Sequence, residues 1–196
     1  MAKRPFRFLR HAFAVAVITL GGVLVAPSAA HATPFPETYL ADSAGHAYCL
    51  LSNFDNYPEH RSRVHWGMDR LDAQTQMTAI FEGCAGGTDI WFSRVDLPAG
   101  TRGRASCQQW LSGNRCDSNV VWLDFAEINI GGNDVYDQQA VVVHEVGHTV
   151  GLGHHSVGGD YAHDCAMFNY VTDVPSTDIK WRSYHAHDVS HINAAY

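Results

Sequence analysis

The chain reads as an α+β domain. Short strand-like runs and one early helix come first, a longer helix follows, and coil with a short closing helix ends it. Two observations set the scale. Residues 1–32 have the form of a secretory signal, which leaves about 164 residues for the mature chain, the length of one domain. Apolar residues make up 46% of the whole and charged residues 17%, a composition that excludes a disordered chain.

The signal reading rests on order. Lys3, Arg4, Arg7 and Arg10 give a positive start, residues 12–26 are apolar, and Ala30-His31-Ala32 is a small-x-small cleavage site. The apolar run is shorter than the roughly 20 residues of a membrane span, and no later run is longer. No adjacent arginine pair points to twin-arginine export. The expectation is therefore a secreted chain, soluble and off the membrane once the signal is cut. Its mature part keeps nine basic residues against twenty acidic ones, a formal −11, which gives no support to nucleic-acid binding.

Thr33-Pro34-Phe35-Pro36 is a loose start, and residues 47–52 a first strand. Residues 59–76 form a helix, with Val64, Met68, Leu71 and Thr75 spaced by threes and fours along one face. Residues 77–81 and 89–95 are strands on either side of Gly83-Cys84-Ala85-Gly86-Gly87, and residues 120–125 are another. After a turn at Gly131-Gly132-Asn133-Asp134, a central helix runs from Asp134 or Asp137 to Val150. Acidic residues suit its positive end, and Gly151 stops it. Residues 183–195 are the closing helix. Neither a repeat nor a low-complexity tract interrupts this order.

Five cysteines agree with an oxidising compartment, and the odd count leaves one thiol over. Fifteen arrangements of two bridges are open. Cys107 with Cys116 is preferred, because Ser112-Gly113-Asn114 can turn the chain between them. So short a loop is worth about 2.7 kcal/mol in the chain-entropy model. Cys49 with Cys84 is the next pairing, which leaves Cys165 as a buried thiol. No C-x-x-C occurs, so a cysteine zinc ribbon and a thioredoxin-like site are excluded.

The chemistry lies in His144-Glu145-Val146-Gly147-His148-Thr149-Val150-Gly151-Leu152-Gly153-His154. Residues four apart share one face of a helix, so His144 and His148 can aim both imidazoles at one ion. Zinc accepts neutral imidazole and favours four ligands. Gly151 can take positive φ without a Cβ penalty, so the chain can turn back and bring His154 in as a third ligand. Three protein ligands leave a fourth position for water, within reach of Glu145 as general base. Five fixed residues at average usage match by chance in roughly one in ten thousand chains of this length. The plain alternative, a core helix with incidental histidines, would need polar partners for a buried histidine pair.

This extended string followed by a Met-turn is the metzincin signature. The sequence resembles that clan, and within it the matrixin-like metallopeptidases. Asp164-Cys165-Ala166-Met167 stands where the family has its Met-turn, and Thr88-Asp89-Ile90-Trp91-Phe92 is similar to its third strand. Residues 187–196 are similar to its closing helix. The resemblance spans much of residues 47–196, with only the zinc string specific. It implies a twisted mixed sheet, a central zinc-binding helix, a Met-turn and a C-terminal helix. It implies one catalytic zinc on His144, His148 and His154, with Met167 as an apolar floor, although an ordinary core methionine would look the same in one sequence. The activity implied is endopeptidase hydrolysis of a peptide or protein substrate, with the substrate extended along an edge strand and the chain a monomer. Residues 102–110 are the candidate for that strand, and residues 168–181 for the specificity pocket.

Departures are equally clear. No histidine lies between Cys84 and His144, so the family's second, structural zinc is expected to be absent. No Pro-Arg-Cys-Gly segment precedes the domain, so latency by a cysteine switch is not expected. Asn169 stands where some metzincins carry a tyrosine that assists the metal. Tyr170, one later, is a candidate site-lining residue. His155 adjoins the third ligand and competes with it on paper, although family spacing favours His154. His163, His185, His187 and His191 read as surface or polar-core residues. Asp188 resembles the closing-helix aspartate that braces the Met-turn, with a plain helix N-terminal aspartate as the alternative. Asp160, Asp164 and the 131–137 loop offer oxygen ligands for Ca2+, but without EF-hand spacing, and a solvated turn explains them as well. Two further readings stay open: an amidase acting on cell-wall peptides, and a non-catalytic zinc-containing binding module.

Overall fold

The computed structural model describes residues 39–129, 132–155, 165–168 and 177–196. The expected signal at 1–32, together with Asp160, His163, Asp164, Asn169 and Tyr170, lies outside the described residues. The described chain is mixed α/β, with several helices on a mostly parallel sheet. Strands β1 (Leu40–Ala41), β2 (Gly45–Leu50), β3 (Thr78–Phe81), β4 (Ile90–Arg94) and β6 (Arg115–Leu123) lie parallel in the order β1-β6-β4-β2-β3. Strand β5 (Gly103–Leu111) pairs antiparallel with β6. The α-helices among the described residues are α1 (Pro58–Gln74), the single turn α2 (Phe125–Ile128), α3 (Asp134–Thr149) and α4 (Ala186–Ala195), with short 3-10 turns at Ser52–Phe54 and Ile179–Arg182.

Burial explains how these layers meet. In β6, Asn119, Val121 and Leu123 are buried while their neighbours stay partly open, so one face of the sheet packs on helices. Phe92 and Ile90 of β4 and Leu50 of β2 join that face. Val64, Met68 and Leu71 of α1 and Val142, Val143 and Val146 of α3 meet it. Each such side chain contributes about 1.5–3 kcal/mol when fully buried. At Gly67 of α1 a Cβ would overlap Val142 Cγ1, so the missing side chain is what lets α1 and α3 approach.

Several expected boundaries need correction. Strand β6 starts at Arg115 rather than 120 and ends at Leu123. Its polar first half carries no apolar alternation, and pairing with β5 on one side and with β1 and β4 on the other holds it instead. Asp124 leaves the strand to cap α2, its carboxylate accepting from Ala126 and Glu127 N–H. The closing helix starts at Ala186 rather than 183, because His185 and Asp188 form a capping box there. Cys49 pairs with Cys84 and Cys107 with Cys116. Gly113 and Asn114 turn the β5–β6 chain at positive φ of 74° and 60°. Cys165 keeps a buried thiol. No described helix is long and apolar enough to cross a membrane.

His46 of β2 is wholly buried against α3. Its Nε2 lies 3.1 Å from Thr149 Oγ1, which itself donates to the Val146 carbonyl. The threonine proton is thus committed, and His46 must donate from Nε2 as a neutral ring. Burial lowers its pKa from 6.5 to about 4. The unfolded chain takes up this proton first, so the associated stability is present above pH 6.5 and falls away toward pH 4. Going from pH 7 to pH 5, this residue should cost the fold about 2 kcal/mol. His46→Gln keeps the donor and should remove that part of the loss, read from urea midpoints at the two pH values. An unchanged loss would refute the assignment.

Candidate metal centre

Helix α3 supplies the first two imidazoles, and its ending supplies the third. At its C-terminus Gly151 takes φ 99°, its N–H reaches the His148 carbonyl, and Leu152 N–H reaches Gly147 O at 3.0 Å. This is a Schellman ending, which only glycine makes without strain. It returns the chain along the face of the helix it has just left. His144, His148 and His154 then form a group that could hold a metal ion. Their Nε2 atoms stand 3.0, 3.1 and 3.1 Å apart.

The proton positions follow from the neighbours. His144 Nδ1 lies 2.7 Å from the Ala166 carbonyl oxygen, and His148 Nδ1 lies 2.8 Å from that of Leu152. A carbonyl only accepts, so both rings must carry their proton on Nδ1. In the neutral rings the Nε2 lone pairs then face one another. Burial holds His148 down at about 4 and His144 well below 6.5, each further lowered by neighbouring histidine, so the neutral form is the one the fold favours. Lone pairs at such separations repel unless a cation lies among them, and a single proton joins only two of three. His155, by contrast, turns away: its Nε2 sits 3.2 Å from Asp188 Oδ1.

Glu145 is buried beside β5. Its carboxylate accepts a hydrogen bond from Ala105 N–H, while desolvation outweighs that bond and pushes its pKa up to about 8. A cation nearby would favour the charged form and draw it back down. At Gly103 a Cβ would fall 2.6 Å from Glu145 Oε1, so the strand passes this carboxylate at a distance only glycine permits. Neither contact has a local sequence signal, because one is a backbone donor and the other a missing side chain.

Residues 165–168 form a tight turn, with Phe168 N–H on the Cys165 carbonyl. Met167 is fully buried, and its Sδ occupies the space beside Gly147. His155 N–H donates to the Met167 carbonyl, and Ala166 N–H to that of Ser183. Asp188 caps the start of α4, as the plain reading expects, and its carboxylate also lies 3.2–3.3 Å from His155 Nε2. Of the expected pocket segment, Phe168 and Trp181 meet edge to face at 5.8 Å, while residues 169–176 are outside the described residues. No known family model matches the chain, and no curated protein matches it.

Gly147→Ala should displace Met167 Sδ and destabilise the fold by about 1–3 kcal/mol, the usual cost of overpacking. Chemical denaturation measures it. A neutral result would mean that the methionine has room to move.

Proposed function

We propose that the chain is a secreted zinc-dependent endopeptidase of the matrixin-like kind. The observation that carries this reading is the triangle of three Nε2 atoms with two of its rings locked by carbonyl acceptors. Three Nε2 atoms 3.0–3.1 Å apart are spaced so that His144, His148 and His154 would together hold one small divalent ion such as zinc. Three neutral nitrogen donors and no carboxylate among them suit zinc better than calcium. When bound, zinc supplies a Lewis acid that polarises a carbonyl and acidifies water.

The protein's own residues account for the rest. Glu145, adjacent to His144 and fixed from β5, takes up the proton of the attacking water and passes it to the leaving amine. Its burial keeps bulk water from competing for that proton. Among the described residues β5 pairs with β6 alone, and its first residues cover Glu145. An extended peptide added to that strand would lie beside the base, which favours a peptide substrate. Two disulfides are consistent with export to an oxidising compartment.

The test is hydrolysis of a denatured protein by the purified chain. A chelator should abolish it and added zinc restore it. Glu145→Gln should keep the metal and lose about 10²–10⁴-fold in rate, the range for a general base. Full activity in that variant would reject the mechanism. Gly103→Ala tests the strand's part. It should leave metal content unchanged and lower kcat by roughly 10²-fold, as expected when a catalytic group is displaced by about 1 Å. Undiminished turnover would show that β5 does not set the carboxylate's position.

A further inference from the structure

A second cluster of ligand atoms lies behind the turn at 165–168. His155, Cys165 and Asp188 each offer one donor atom, and the three atoms lie within 4.8 Å of one another. All three residues are buried, Asp188 completely. They come from three places in the chain: the segment that leaves α3, the turn itself, and the first turn of α4. We propose that these residues form a second, closed metal site for zinc or a similar borderline-soft divalent ion, structural rather than catalytic.

The chemistry of the donors favours this over a calcium or magnesium site. Those ions want six or more oxygens, whereas one imidazole, one thiolate and one carboxylate are a zinc-like set. A fourth donor stands close by, since His187 Nδ1 is 3.5 Å from Asp188 Oδ1 and its ring centroid is 5.0 Å from that of His155. A wholly buried carboxylate is costly unless its charge is matched. A divalent ion would match carboxylate and thiolate together.

The surroundings are already in place. His155 N–H is tied to Met167 O, Ala166 N–H to Ser183 O, and His185 N–H to Asp188 Oδ2. Consecutive residues serve the two centres: His154 and His155 on one strand of chain, Ala166 and Cys165 on the other, with the Ala166 carbonyl holding His144. An ion here would clamp the turn that fixes one ring of the imidazole triangle. This adds a second ion to the single one implied by the sequence. It does not use the stretch between Cys84 and His144, which has no histidine, and it stands whether or not the chain is a peptidase.

Cobalt(II) loading of the purified, unreduced full chain tests it. The other four cysteines are held in disulfides, so a thiolate-to-cobalt charge-transfer band in the near ultraviolet reports Cys165 alone. The wild type should show the band and bind about two ions per chain, and Cys165→Ser should lose the band and retain about one. His148→Ala, which disables only the first centre, should keep the band. A wild type that binds cobalt without the band overturns the proposal and leaves a His155–Asp188 pair beside an inert thiol. A band that survives Cys165→Ser overturns it equally. Should that variant fail to fold, the wild-type spectrum decides alone.

Discussion

Two carbonyl oxygens, those of Ala166 and Leu152, govern the centre of this protein. Each accepts the Nδ1 proton of one histidine and so turns the other nitrogen's lone pair inward. Without those acceptors the rings could rotate or swap tautomers, and three nitrogens 3.0–3.1 Å apart would relax away from one another. The two oxygens have different origins. Leu152 is placed by the glycine ending of α3, a local matter of chain conformation. Ala166 is placed by a turn from elsewhere in the chain, held through His155, Ser183 and the capped start of α4. Local geometry thus fixes one imidazole and tertiary structure fixes another.

That division explains how much could be read from sequence. Helix α3, its glycine stop and the spacing of His144, His148 and His154 are encoded within eleven residues, and i, i+4 geometry suffices to bring the first two together. Helix α1 was legible for the same reason, since Val64, Met68 and Leu71 repeat at helical spacing and are all buried. The polar half of β6 was not legible, because residues 115–119 show no apolar alternation and owe their extended form to pairing with β5 across a disulfide-closed hairpin on one side and with β1 and the start of β4 on the other. The two-residue strand β1 gave no signal at all. Positions that depend on backbone donors or absent side chains, such as Ala105 and Gly103 against Glu145, are silent by nature. Asp188 showed its residue type but not its partner, because the partner, His155, lies 33 residues away.

Glycine has an unusual share in bringing the layers together. At Gly67, Gly103 and Gly147 the space of a Cβ is filled by Val142, Glu145 and Met167. All three fillers belong to α3 or abut it. Helix α3 is therefore packed closely from three directions: by α1, by β5 and by the turn at 165–168. Close packing of this kind restricts the helix to one position, and a site assembled from a helix and two loops needs that restriction to hold its donors within a few tenths of an ångström.

The second cluster gives the same restraint a chemical form. Cys165 and Ala166 are neighbours in one tight turn, yet one faces His155 and Asp188 while the other's carbonyl faces His144. Any force that holds Cys165 in place therefore holds the Ala166 oxygen as well, because a four-residue turn has few ways to move one residue without the next. His154 and His155 repeat the relation on the other side. The fold thus contains two donor clusters that share two short pieces of backbone, and fixing either one narrows the freedom of the other. Ordering one segment then serves both centres, so the conformational entropy lost in fixing it is lost only once.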